Sequence, residues 1–314
     1  MQIFACPTCG HRLWFQNATC PCGQSVRFDP ETQSMQASAD SCVNFDAIGC
    51  NWQPGENGYC ASCNLTETVP DLRKDSNLPL WERTEAAKRW MLANLARWGW
   101  FTLADTGARP TFKMLAEQTV EGREEVVMGH ASGEITINVS EADPAIRAQR
   151  RAKLGELYRT MLGHMRHEMA HFLFERLLRR PGFADDFRAL FGDERADYAQ
   201  ALKQHYTRPA PADEWHITSY ATAHPHEDWA ETVAHLLHLV DLLDSATAAG
   251  LVGGYDPYGE TDTDGMLTRA IDLSLAANHV NRALDLADVY PFILPPGVRG
   301  KMAFAHRHLR QPAP

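Results

Sequence analysis

All eight cysteines of this 314-residue chain fall between Cys6 and Cys63, and the rest of the chain has none. They form "CPTC" (Cys6, Cys9), "CPC" (Cys20, Cys22), the single Cys42 and Cys50, and "CASC" (Cys60, Cys63). A disulfide framework needs an oxidising compartment. The start, "MQIFACPTCGHRL", lacks a basic stretch followed by a long apolar run, so export is not expected and a cytoplasmic location is. Close cysteine pairs followed by Gly or Asn suit tight turns that aim two thiolates at one Zn²⁺. Eight thiolates are enough for two closed sites of four. Chain order suggests Cys6/Cys9/Cys20/Cys22 for one and Cys42/Cys50/Cys60/Cys63 for the other. The single residue inside "CPC" leaves this pairing open, because an interleaved arrangement has the same spacing. A module of residues 1–70 buries little apolar surface, so metal binding is expected to supply its folding energy. Residues 64–80, with two prolines and polar clusters, read as a linker to a larger domain, 81–314.

That larger domain reads as mainly helical with a small β-sheet, so the chain as a whole is expected to be α+β. Ala87, Trp90, Met91, Asn94, Leu95 and Trp98 recur at helical spacing from Trp81 to about Gly99. "VVM" and "ITINV", separated by residues 130–133, predict a β-hairpin. Helices are expected from about Pro144 to "RRPGF", then over 183–206, 225–244 and 266–285, with a loop over 245–265. No apolar run approaches membrane-spanning length, so no membrane association is expected. Net charge is −10, and residues 1–70 hold two arginines against six carboxylates. Nucleic-acid binders present a basic face, so none is expected as a partner.

Within "GHMRHEMAHFLF" (163–174), His167 and His171 stand four apart. On a helix both imidazoles share one face and can reach one metal ion. Glu168 lies close to that face and can take a proton from a metal-activated water without itself being a ligand. A third ligand must come from further along. Gly and His three and six residues past His171 would be one solution. Those positions are Phe174 and Leu177. A later carboxylate is the alternative, either Glu194 in "DERADYA" or Glu227 in "HPHEDWAETVAH". Glu227 is preferred, because Glu231, His235 and His238 continue its helix face, and such groups are costly inside an apolar helix unless paired or metal-bound. His164 shares the face of His167 and reads as a polar neighbour.

"RHEMAH" followed by "SYATAHPHEDWAE" resembles two-His-one-Glu zinc peptidases (gluzincins) of the anthrax lethal-factor type. The whole chain resembles a family of bacterial zinc-binding metallopeptidases with an N-terminal zinc-ribbon, most specifically in "CNW", "GDERADYAQAL" and "HPHEDWAE". The short "CPC" departs from the C-x-x-C expected there. The resemblance implies a zinc-ribbon-like module followed by a zincin-like domain, with one catalytic and two structural Zn²⁺ and a peptide or protein substrate. It implies Glu227 as third ligand, Glu168 as general base and Tyr220 as the oxyanion's hydrogen-bond donor. It also implies that Glu231 orients a ligand histidine, with Asp197 and His235 near it. A non-catalytic, protein-binding scaffold with structural zinc is the competing expectation.

Overall fold

The computed structural model describes residues 1–313. The chain divides into two compact units, Met1–Met165 with Ala248–Leu251, and Arg166–Thr247 with the residues from Val252 on.

The first unit begins with two short antiparallel hairpins, β1 (Phe4–Ala5) with β2 (Arg12–Leu13), and β3 (Val26–Asp29) with β4 (Ser34–Ala37). Strands this short hold little by themselves. They are pinned by an aromatic cluster in which Phe28 packs on Phe4, Phe15 and Trp52 at centroid distances of 5.6, 4.9 and 5.4 Å. One turn of helix, α1 (Phe45–Ile48), follows. Segment 64–80, expected as a linker, is built into the fold instead. Thr66–Thr68 forms β5, and α2 (Asn77–Ala96) begins inside it. The Thr66 hydroxyl donates to Glu85 Oε1 at 2.6 Å, and Glu85 forms a buried ion pair with Lys88 (2.9 Å). Removing one member of such a pair would strand a buried charge, at a cost of about 3–5 kcal/mol.

The sheet of this unit has the order β5-β6-β8-β7, with β6 Thr111–Leu115, β7 Gly129–Ala131 and β8 Glu134–Asn138. β6 runs parallel to both β5 and β8, and β7 is antiparallel to β8. The expected hairpin is present, but "VVM" is not its first strand. The turn is Ser132-Gly133, both at positive φ (51° and 83°), the backbone that a two-residue hairpin demands. α3 (Pro144–Leu154) is capped by the Asp143 carboxylate, which accepts from the amides of Ala145 and Ile146, and it ends at Gly155 (φ 67°). The long helical stretch read from Pro144 is therefore two helices, α3 and α4 (Met161–Leu177).

In the second unit, 183–206 is likewise two helices, α5 (Phe183–Phe191) and α6 (Tyr198–Thr207). Gly192 at φ 98° ends α5, and Asp197 caps α6 by accepting from the Gln200 amide. α7 (Pro225–Ala248), α8 (Thr263–Ala283) and α9 (Pro296–Leu309) complete it. α7 is buried over most of its length. Its Trp229 is fully enclosed by Phe174, Phe183, Phe187, Phe191 and Phe304. The Trp229 indole donates to the Ala170 carbonyl of α4 (2.8 Å), and Arg166 pairs with Asp241 (2.6 Å). These contacts set the register of α7 against α4, which positions the candidate site. Among the described residues, no helix is long and apolar enough to cross a membrane.

Candidate metal centres

The eight sulfurs gather into two groups, Cys6/Cys9/Cys20/Cys22 and Cys42/Cys50/Cys60/Cys63, each with all four ligand atoms within 4.8 Å of one another. The closest pairs stand at 3.9 Å (Cys6–Cys22), 3.6 Å (Cys9–Cys20), 3.5 Å (Cys50–Cys60) and 3.7 Å (Cys50–Cys63). A disulfide needs about 2.05 Å. Four thiolates at about 2.3 Å from a tetrahedral Zn²⁺ stand about 3.8 Å apart. Both groups thus fit the ion. In the first, "CPC" works in place of C-x-x-C because Gly10 and Gly23 follow the paired cysteines in left-handed conformations (φ 72° and 87°), folding each pair inward.

The two groups differ in exposure. Cys9 and Cys22 are open to solvent, whereas Cys42, Cys50, Cys60 and Cys63 are all buried. A Zn²⁺ with four thiolates carries net negative charge, which is costly to bury without compensation. Arg27 and Arg89, each nearly fully buried, act electrostatically on Cys50 and supply it. Chelator competition at these two groups should therefore be biphasic, with the first site stripped faster. Cys60→Ser should abolish the slow phase only, followed by the colour of a zinc indicator. A single phase carrying both equivalents would contradict this.

The third group is His167, His171 and Glu227. His167 Nε2 lies 3.3 Å from His171 Nε2 and 3.0 Å from Glu227 Oε2, which is 3.6 Å from His171 Nε2. Two ligands at about 2.0–2.1 Å from a tetrahedral Zn²⁺ stand about 3.3 Å apart. The donor set and its spacing fit that ion. Burial alone would push the Glu227 carboxyl up, but the two imidazoles outweigh it and hold it well below the usual carboxylate range. It therefore stays an anionic donor although only 1% exposed.

The surrounding residues hold this group in place. Glu231 Oε1 accepts from His167 Nδ1 at 2.7 Å, which turns Nε2 toward Glu227, and Thr218 donates to the other oxygen of Glu231 at 2.8 Å. His235 stands 4.0 Å from Glu231 and hydrogen-bonds the Tyr290 hydroxyl (2.8 Å). His238 hydrogen-bonds Arg166. The Tyr220 ring lies 5.9 Å from the His167 ring. Glu168 is only 7% exposed, and among the described residues none hydrogen-bonds its carboxylate.

Other candidates lie elsewhere. Glu194 is bound to Arg188 (3.0 Å to Nε) and is not in the group. Asp197, expected near Glu231, is the cap of α6. His164 pairs with the buried Glu141 at 2.9 Å, beside Arg150 and Arg159. Sequence reasoning missed Tyr198, whose hydroxyl donates to Glu227 Oε1 at 2.6 Å. It sits inside "GDERADYAQAL", but nothing in its spacing pointed to Glu227, 29 residues on. Its bond occupies the carboxylate oxygen that the imidazoles leave free. Tyr198→Phe should weaken zinc binding at this group about tenfold or more, the scale for partners of a ligand. Metal-buffer titration would show it, and an unchanged affinity would assign Tyr198 no part in holding Glu227.

Helix α4 thus presents a His-Glu-x-x-His face to a carboxylate on α7, a donor set that suits a zinc ion. Residues 77–308 match the model of a family described as "Putative zinc-binding metallo-peptidase", and residues 3–41 match that of a zinc-ribbon domain. The chain belongs to this metallopeptidase family. It is 36% identical, over its whole length and 97% of theirs, to uncharacterized proteins of Mycobacterium bovis and of Mycobacterium tuberculosis strains CDC 1551 and H37Rv. No solved structure matches it.

Proposed function

We propose that the chain is a zinc-dependent peptidase of the two-His-one-Glu type, with His167, His171 and Glu227 as ligands of one catalytic Zn²⁺ and the two cysteine groups as structural sites. The observation that carries this reading is the convergence of the three ligand atoms beside a sheltered, uncommitted Glu168 carboxylate. When bound, the metal would polarise the scissile carbonyl and lower the pKa of a water. Glu168 takes the proton from that water as its oxygen bonds to the carbonyl carbon, then delivers it to the departing amine nitrogen. Tyr220 donates a hydrogen bond to the oxyanion. Burial and the Glu227 charge push the Tyr220 phenol far up, so it stays a donor at neutral pH. Glu231 holds His167 in the tautomer that offers Nε2 to metal.

The substrate is a peptide or protein, and neither nucleic acid nor membrane is part of the reading. Thiolates set at zinc-binding rather than disulfide distances support a cytoplasmic setting. The test is a peptide library incubated with zinc-loaded and chelator-treated protein. Zinc-dependent cleavage is expected. Capture of a stable partner with no cleavage of any library member would favour the scaffold alternative. Tyr220→Phe should lower kcat by about 10²-fold with zinc content unchanged, and an unaltered kcat would remove Tyr220 from the chemistry.

A further inference from the structure

Helix α6 and the turn Tyr220–Ala223 enclose an open groove of about 710 Å³. Its wall includes Lys203, Arg208, His205 and Thr222, and none of the described residues lining it is acidic. Neither the Lys203 ammonium nor the Arg208 guanidinium has a hydrogen-bond or ion-pair partner among the described residues. Several other cations of the same unit pair with carboxylates, as in Arg166–Asp241, Arg188–Glu194, Arg282–Asp288 and Lys301–Asp228. The groove also adjoins the candidate centre. The His205 ring is 5.8 Å from the Tyr220 ring, which is 5.9 Å from that of His167. His205 Nδ1 is 3.5 Å from the hydroxyl of Thr222, which lies in the segment leading into α7. The His205 and Tyr220 rings thus run in sequence from the groove that Lys203 and Arg208 line to the His167 ring.

We infer that this groove is a substrate subsite that takes a carboxylate, through Lys203 and Arg208, and so selects peptides carrying an acidic group at a fixed distance from the cleaved bond. The inference rests on the peptidase reading above. Two chemical sources are open to it, an acidic side chain and the free C-terminus of the substrate.

The test uses two sets of metal-anchored peptides on zinc-loaded protein, followed by calorimetry. Peptide hydroxamates explore the amino-terminal side of the centre, and mercaptoacyl peptide amides explore the other. Glu and Gln are scanned through each position, and the mercaptoacyl peptides are also made as free acids. At one position Glu should bind about five- to tenfold tighter than Gln, as two partly solvated cations can provide, with the margin shrinking at high salt. Lys203→Ala with Arg208→Ala should bring the ratio near one. Lys203→Glu with Arg208→Glu should reverse it in favour of Gln. If the free acids alone gain over the amides, with the same response to the variants, the carboxylate is the substrate C-terminus. Equal binding of Glu and Gln, and of acid and amide, would overturn the subsite and leave the peptidase reading standing. Failure of every peptide to bind zinc-loaded protein would sink both.

Discussion

Glu168→Gln should leave zinc content unchanged and lower peptide hydrolysis by about 10²–10⁴-fold, the usual contribution of a positioned general base. The amide keeps the size of the side chain but cannot take a proton. Glu168 is not among the three ligand residues, so metal should stay bound. No described residue hydrogen-bonds its carboxylate, so the substitution breaks no bond of the fold. Metal analysis and turnover of a susceptible peptide decide the matter together. Retained turnover would exclude Glu168 as the base. Loss of metal along with activity would mean that it supports the site rather than the chemistry.

Glu227→Ala should have the other large effect, a fall from about three Zn²⁺ per chain to about two, with hydrolysis abolished. The substitution removes the anionic ligand and the acceptor of the Tyr198 hydroxyl together. It also leaves a void at a fully buried position. Glu227→Gln separates these effects, since it nearly preserves shape while removing the charge. It should still bind this zinc more weakly. The two cysteine groups lie in the other compact unit, and their equivalents should persist. Retention of all three ions by both variants would return the third ligand to Glu194. That outcome would require Glu194 to leave Arg188, with which it forms a charge-assisted pair.

Helix boundaries were the least legible part of the fold. The apolar periodicity runs across Gly155 and across 192–197, so each pair of helices reads as one. The breaks lie in backbone conformation: left-handed Gly155 and Gly192, and the Asp197 cap. The segment 64–80 misled for a similar reason. Its prolines and polar residues are linker-like in composition, yet two of its residues, Thr66 and Thr68, pair with β6 through backbone groups that composition does not report. The α7 face was more legible, because Glu227, Glu231, His235 and His238 are too polar for so apolar a helix. Each has partners in the structure: Tyr198 and the two imidazoles for Glu227, Thr218 and His167 for Glu231, Tyr290 for His235, and Arg166 for His238.

By itself the sequence determined what depends on short separations. Paired thiols with a following glycine make a metal turn wherever they fold, and imidazoles four residues apart on one helix share a face. The tertiary structure alone decided which distant groups complete those beginnings. It brought Glu227 rather than Glu194 to the imidazoles, put Tyr198 on the free oxygen of Glu227, and left Asp197 as a cap and His164 on Glu141. The physical reason is that these contacts join residues 23 to 60 apart in sequence or lie at helix ends. The partners of Glu227 are chosen by how α7 seats on α4, through Trp229 in its aromatic enclosure and the Arg166–Asp241 pair. Side-chain packing of that kind leaves no periodic mark on the chain.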